Sequence, residues 1–112
     1  MKLIHIREIP AITPPKHHHM KSRWVVDETI GAKTMRVSLG QITPASEVEP
    51  HVHLSEEQLF IVLKGELINR NEKEEVRTKP GEAVLVFPGE PHATYTESPE
   101  CEYLVITGFQ YK

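Results

Sequence analysis

Residues 50–65 read Pro-His-Val-His-Leu-Ser-Glu-Glu-Gln-Leu-Phe-Ile-Val-Leu-Lys-Gly. His51 and His53 stand one residue apart, ahead of Glu56, Glu57 and Gln58 and an apolar run that stops at Lys64-Gly65. On an extended strand, side chains at i and i+2 leave from one face with Cα atoms ~6.5 Å apart, so both imidazoles can reach one metal ion. The run Gln58–Leu63 is apolar on both sides of a strand except at its start, which predicts a strand central to a sandwich or barrel.

Working outward, turn signals recur along the whole chain, and no segment sustains a 3.6-residue period. Met35–Ile42 alternates Met35, Val37 and Leu39 against Arg36, Ser38 and Gly40, a half-buried strand. Trp24-Val25-Val26, Glu66–Arg70, Val76–Lys79, Ala83–Phe87, Thr94–Thr96 and Tyr103–Phe109 read as further strands. The alternating Met1–Ile9 reads as a first strand, at a sheet edge or paired with a second subunit. Pro10, Pro14 and Pro15 then predict a loop holding His17, His18 and His19, either a polar surface loop or a flap supplying a ligand or proton shuttle. Asn71–Glu75 is a charged hairpin tip, and Pro80-Gly81 a turn. The pattern is all-β.

The bulk numbers bound the function. With 112 residues, the chain is expected to form one domain, 1–112. A net charge of −3 argues against a nucleic-acid surface, which calls for a basic face. The single cysteine, Cys101, rules out an internal disulfide framework. No signal-peptide apolar region follows Met1 and no run nears the ~20 residues of a membrane span, so a cytoplasmic protein is expected.

Two blocks carry a family resemblance. The first is His51-x-His53, with an amide or carboxylate at 56–58, then Gly65; the second is PGEAVLVFPGEPHATYT, residues 80–96. Together they resemble the paired motifs of the cupin superfamily, G-x5-H-x-H-x(3,4)-E-x6-G and P-G-x5-P-x-G-x2-H-x3-N. The resemblance implies a double-stranded β-helix, or jelly-roll barrel, with the first motif near 45–65. It also implies one divalent transition metal per chain, held by His51, His53, His92 and a fourth ligand. Gly65, Pro80, Gly81 and Gly89 match turn positions, whereas Ala45, Phe87 and Thr96 replace the family's glycine, proline and asparagine.

For the fourth ligand, the spacing to Gly65 favours Gln58, while Glu57 fits the shorter spacing from His53. A strand's period of two lets only one of them face the histidines. With Gln58 the ion keeps its full charge and favours anionic oxygen donors; Fe, Mn, Ni, Cu and Zn all suit such a set. Phe60 and Val62 share Gln58's parity and should line the interior, with Arg36, Tyr95 and Tyr103 as candidate polar contacts. Cys101, between Glu100 and Glu102, should have a raised thiol pKa and no catalytic role.

The functions this implies are a small metalloenzyme acting on an oxygenated acid, sugar acid or carbonyl compound, of dioxygenase, decarboxylase or isomerase type. The alternative is a non-catalytic small-molecule-binding or sensor barrel. Expected partners are a small-molecule ligand and a second copy in a homodimer, with no nucleic acid and no membrane.

Overall fold

The computed structural model describes residues 1–14, 17–48, 50 and 52–109. Ten strands follow one another: β1 (His17–His18), β2 (Lys21–Val26), β3 (Met35–Ile42), β4 (Glu47–Val48), β5 (Glu57–Lys64), β6 (Leu67–Arg70), β7 (Glu75–Thr78), β8 (Ala83–Val86), β9 (Ala93–Tyr95) and β10 (Cys101–Gly108). They form a five-stranded sheet in the order β2-β3-β10-β5-β8, a three-stranded sheet β7-β6-β9 and a two-stranded ribbon β1-β4, with every pairing antiparallel. Among the described residues, helix is confined to two single 3-10 turns, Ile6–Glu8 and Glu28–Ile30. This is the all-β jelly-roll barrel that the two motifs imply.

Register decides which side chains meet inside. Residues directly opposite on antiparallel strands share a face. Tyr103 lies opposite Gly40 and Val62, Val105 opposite Ser38 and Phe60, and Thr107 opposite Arg36 and Gln58. Phe60, Val62 and Tyr103 belong to the buried core together with Met20, Ile42, Leu67 and Cys101, so these three rows face the interior. The alternation in β3 is thereby inverted against the usual rule. Its polar set, Arg36, Ser38 and Gly40, is the one that faces inward.

Two glycines are fixed by contact. A Cβ on Gly40 would fall 2.7 Å from the Tyr103 ring, so the small residue makes room for the large one. Gly65 has φ +74°, and a Cβ there would meet the Glu100 carbonyl oxygen at 2.2 Å. Only glycine fits that corner. Thr96, in place of the family asparagine, closes the same corner by donating from Oγ1 to the Glu66 carbonyl at 2.6 Å.

β8 is fenced by two corners of the same construction. In Lys79-Pro80-Gly81-Glu82, the Glu82 carboxylate accepts the Lys79 amide at 2.8 Å. In Phe87-Pro88-Gly89-Glu90, the Glu90 carboxylate accepts the Phe87 amide at 2.9 Å. Proline presets one turn dihedral and glycine supplies the left-handed one, φ +84° in both cases.

Three expectations fail locally. Met1–Ile9 forms no strand: it straps the outer face of the five-stranded sheet. Arg7 donates twice to Glu102, at 3.0 and 2.9 Å, and Arg23 Nε donates to the Ile9 carbonyl at 3.0 Å. The histidine loop is in part a strand, since His17 and His18 pair with Val48 and Glu47. The Pro44-bounded stretch 43–49 reads from its sequence as a loop leading into His51, and it contains β4. Two-residue strands carry no readable period.

Candidate metal centre

Beyond the β5–β8 ladder, a further backbone hydrogen bond ties the second block to the first. The Gly89 amide donates to the His53 carbonyl at 2.7 Å, which ties the Pro88-Gly89 corner to the loop before β5. Pro91 then delivers His92 at the start of β9, 4% exposed. The rings of His53 and His92 lie 6.2 Å apart, centroid to centroid, and Phe60 packs edge-on against His92 at 5.7 Å. On one ion with metal–nitrogen bonds of about 2.1 Å, two imidazole centroids stand roughly 5 Å apart at a tetrahedral angle, so this pair is about 1 Å wider than a closed site.

Each ring is held from behind. His53 Nδ1 lies 3.4 Å from Glu56 Oε2, and His92 Nδ1 lies 3.4 Å from Asn69 Oδ1, which also accepts from Thr94 Oγ1 at 2.5 Å. An acceptor oxygen beside each Nδ1 favours the proton there, which would leave the buried Nε2 of each ring as the metal-facing nitrogen. These outer partners have no motif of their own. Glu56 could be singled out only as one carboxylate of a cluster, and nothing in the sequence marks Asn69.

Burial separates the two candidates for the fourth position. β5 alternates so that Gln58 is 8% exposed, while Glu57 lies on the exposed side. Gln58 Nε2 donates to Thr107 Oγ1 at 3.1 Å. Its Oε1 is buried and has no hydrogen-bond partner among the described residues. An unmet buried carbonyl oxygen costs roughly 1–3 kcal/mol unless something binds it. That orphaned oxygen, on the same strand face as Phe60, which packs against His92, fits a divalent ion.

His51 lies outside the described residues. Among those described, no three His, Cys, Asp or Glu side chains form a metal-holding group. The described residues bring together two neighbouring imidazoles and one inward amide oxygen.

The remaining candidates separate cleanly. Tyr103 is fully buried beside Phe60, at 6.0 Å between ring centroids, and burial drives its phenol pKa upward. Tyr95 turns away, donating to Glu75 at 3.2 Å. His18 and His19 are exposed. Cys101 has its thiol pKa raised to about 11, as expected, but by burial rather than by the flanking carboxylates. Glu100 and Glu102 are engaged outside, by Lys64 and Arg7. Arg36 is the polar residue that the interior rows add to the site. It sits over the Phe109 ring at 4.8 Å and the Trp24 ring at 5.8 Å, and 3.5 Å from Glu56.

No helix among the described residues is long and apolar enough to cross a membrane. A search of curated proteins finds no match. Among solved structures, the polyketide cyclase RemF from Streptomyces resistomycificus aligns at 26% identity, covering 98% of this chain and 80% of that one, TM-score 0.81. A predicted oxalate decarboxylase from Thermotoga maritima is 19% identical over 97% of this chain and 100% of that one, TM-score 0.82. KdgF from Halomonas sp. is 15% identical over 97% and 95%, TM-score 0.81. A family model described as the cupin domain matches residues 38–107. With most of its length inside that match, the chain belongs to the cupin-domain family.

Proposed function

We propose that this protein is a metal-dependent cupin enzyme acting on a small oxygenated acid, sugar acid or carbonyl compound. His51, His53, Gln58 and His92 would hold one divalent ion, with Fe, Mn, Ni, Cu and Zn all compatible with three imidazoles and an amide. The observation that carries the reading is the buried Gln58 Oε1, turned inward and unmet among the described residues. Such an ion supplies Lewis acidity toward a carbonyl or activates oxygen.

The chain's own residues do the rest. Glu56 and Asn69 orient His53 and His92 through Nδ1. Glu56 is also the carboxylate nearest the site able to accept a proton from a bound substrate. Phe60 keeps the floor dry beneath them. The neutral donor set leaves the ion's charge uncancelled, which favours anionic oxygen donors over neutral ones. A second copy is proposed as the protein's macromolecular partner, and light scattering returning a monomer would remove that part.

Elemental analysis of untagged protein should give about one transition metal per chain. Gln58→Ala should lose it and Glu57→Ala should keep it; metal retained in the first variant would sink the assignment. A panel of keto acids, uronates and diketones with product detection, and oxygen uptake measured alongside, distinguishes turnover from binding and identifies the reaction class.

A further inference from the structure

The interior row Arg36–Thr107–Gln58 places a cation on the candidate centre's own wall, two strand spacings or about 10 Å across the sheet from Gln58 at the backbone. Its side chain reaches Glu56, two residues before Gln58. Glu56 Oε2 is 3.5 Å from Arg36 Nη2 and 3.4 Å from His53 Nδ1, so guanidinium and imidazole flank one carboxylate oxygen.

What sets Arg36 apart is how it is held. Arg7, Arg23 and Arg77 all donate hydrogen bonds: Arg7 to Glu102, Arg23 to Ile9 and Gln41, Arg77 to Glu66 and Glu75. Arg70 is placed by a ring as well, Tyr95 at 4.9 Å, but it is exposed and meets one ring rather than two. Arg36 has only 32% of its side chain exposed, yet donates no hydrogen bond among the described residues. Its contact with Glu56 is an ion pair beyond hydrogen-bond range. Its position comes instead from two aromatic rings, Phe109 and Trp24. Stacking fixes a guanidinium by its faces and leaves its in-plane N–H fork available, and that fork matches a carboxylate.

We propose that Arg36 is the anion-binding residue of the barrel mouth: its fork takes a substrate carboxylate while another oxygen of the same molecule reaches the His53–Gln58–His92 wall. The proposal rests on the metal-centre reading and narrows it, from oxygenated compounds in general to acids carrying a second oxygen function several bonds from the carboxylate. Neutral diketones and neutral sugars fall outside. Glu56 is the internal competitor that such a carboxylate displaces from Arg36.

The test uses the full chain loaded with Zn(II), and reads the emission of Trp24, the sole tryptophan, which lies against Arg36. The probes are glutarate and its monomethyl ester. Glutarate should bind about tenfold or more tighter than the ester in the native protein, as expected for a charge-assisted pair. In Arg36→Gln the two should bind within about twofold of each other, and Arg36→Lys, which keeps charge but not the fork, should fall between. Circular dichroism and bound zinc should be unchanged in both variants. Equal binding of the two probes to native protein, or a preference that survives Arg36→Gln while zinc remains bound, overturns the proposal and leaves the metal centre standing. If no metal binds at all, acetate titrated into the metal-free protein decides: a Trp24 response lost in Arg36→Gln supports the anion site, and no response overturns it.

Discussion

The same three strands build two opposite environments within a few residues of each other. At the closed end of the barrel, Tyr103, Val62 and Ile42 pack with Leu67 and Cys101 into a dry core, tight enough that Gly40 has no room for a methyl group. At the mouth, one or two inward steps along β3, β5 and β10, the same face carries Arg36, Gln58 and Thr107. Polar groups there are buried and incompletely satisfied, the condition that packing normally eliminates. No change of fold separates core from site. Two residues of strand, and the substitution of donors for methyl groups, are sufficient.

The contrast makes opposite predictions for the two ends. At the closed end, Leu67→Ala removes a side chain with no exposed surface and should cost about 2–5 kcal/mol in chemical denaturation, with metal content unchanged. A loss of metal there would show that core and site are not separable. At the mouth, Gln58→Leu replaces the unmet amide with an apolar side chain of similar size. The metal-free variant should be as stable as the native protein or more so, by up to about 2 kcal/mol, while metal binding is abolished. Destabilisation of the metal-free variant would mean that Gln58 is structural.

The smallest expected effect lies on the outer face, away from both regions. Glu102 has its carboxyl pKa lowered, first by the hydrogen bond from Arg7. A folded-state pKa below the unfolded one contributes stability above the unfolded carboxylate range, lost as pH falls through the folded value. Arg7→Gln should therefore differ slightly from native protein at neutral pH and converge with it in acid. Parallel stability curves across that range would show that the strap's ion pair contributes nothing.

Much of this was legible in the sequence because period and spacing are strong signals. Met35–Ile42 is a strand from its first predicted residue to its last, and the seven-residue offset to Gly65 points to Gln58 rather than Glu57 as the inward side chain. The failures have physical causes. Met1–Ile9 alternates like a strand but pairs with no sheet edge, and hydrogen bonds from side chains hold it across the sheet instead. In β3 the amphipathic rule points the wrong way, because the inward row meets Thr107 and Gln58 at one end and at the other Gly40 makes room for the Tyr103 ring. Glu56 and Asn69 escape notice because a residue that steadies a histidine from behind needs only an acceptor at the right place in space, not a fixed place in the chain.

The paired corners around β8 have one more implication. Ala83–Val86 works as a gauge block clamped between two identical jaws, and its length sets the height at which His92 stands above the core. Adding or removing two residues would preserve the inward-outward alternation and both corners while sliding the histidine along the barrel axis by about 7 Å. Site depth is thus an adjustable dimension of this fold, separable from the identity of the residues that furnish the site.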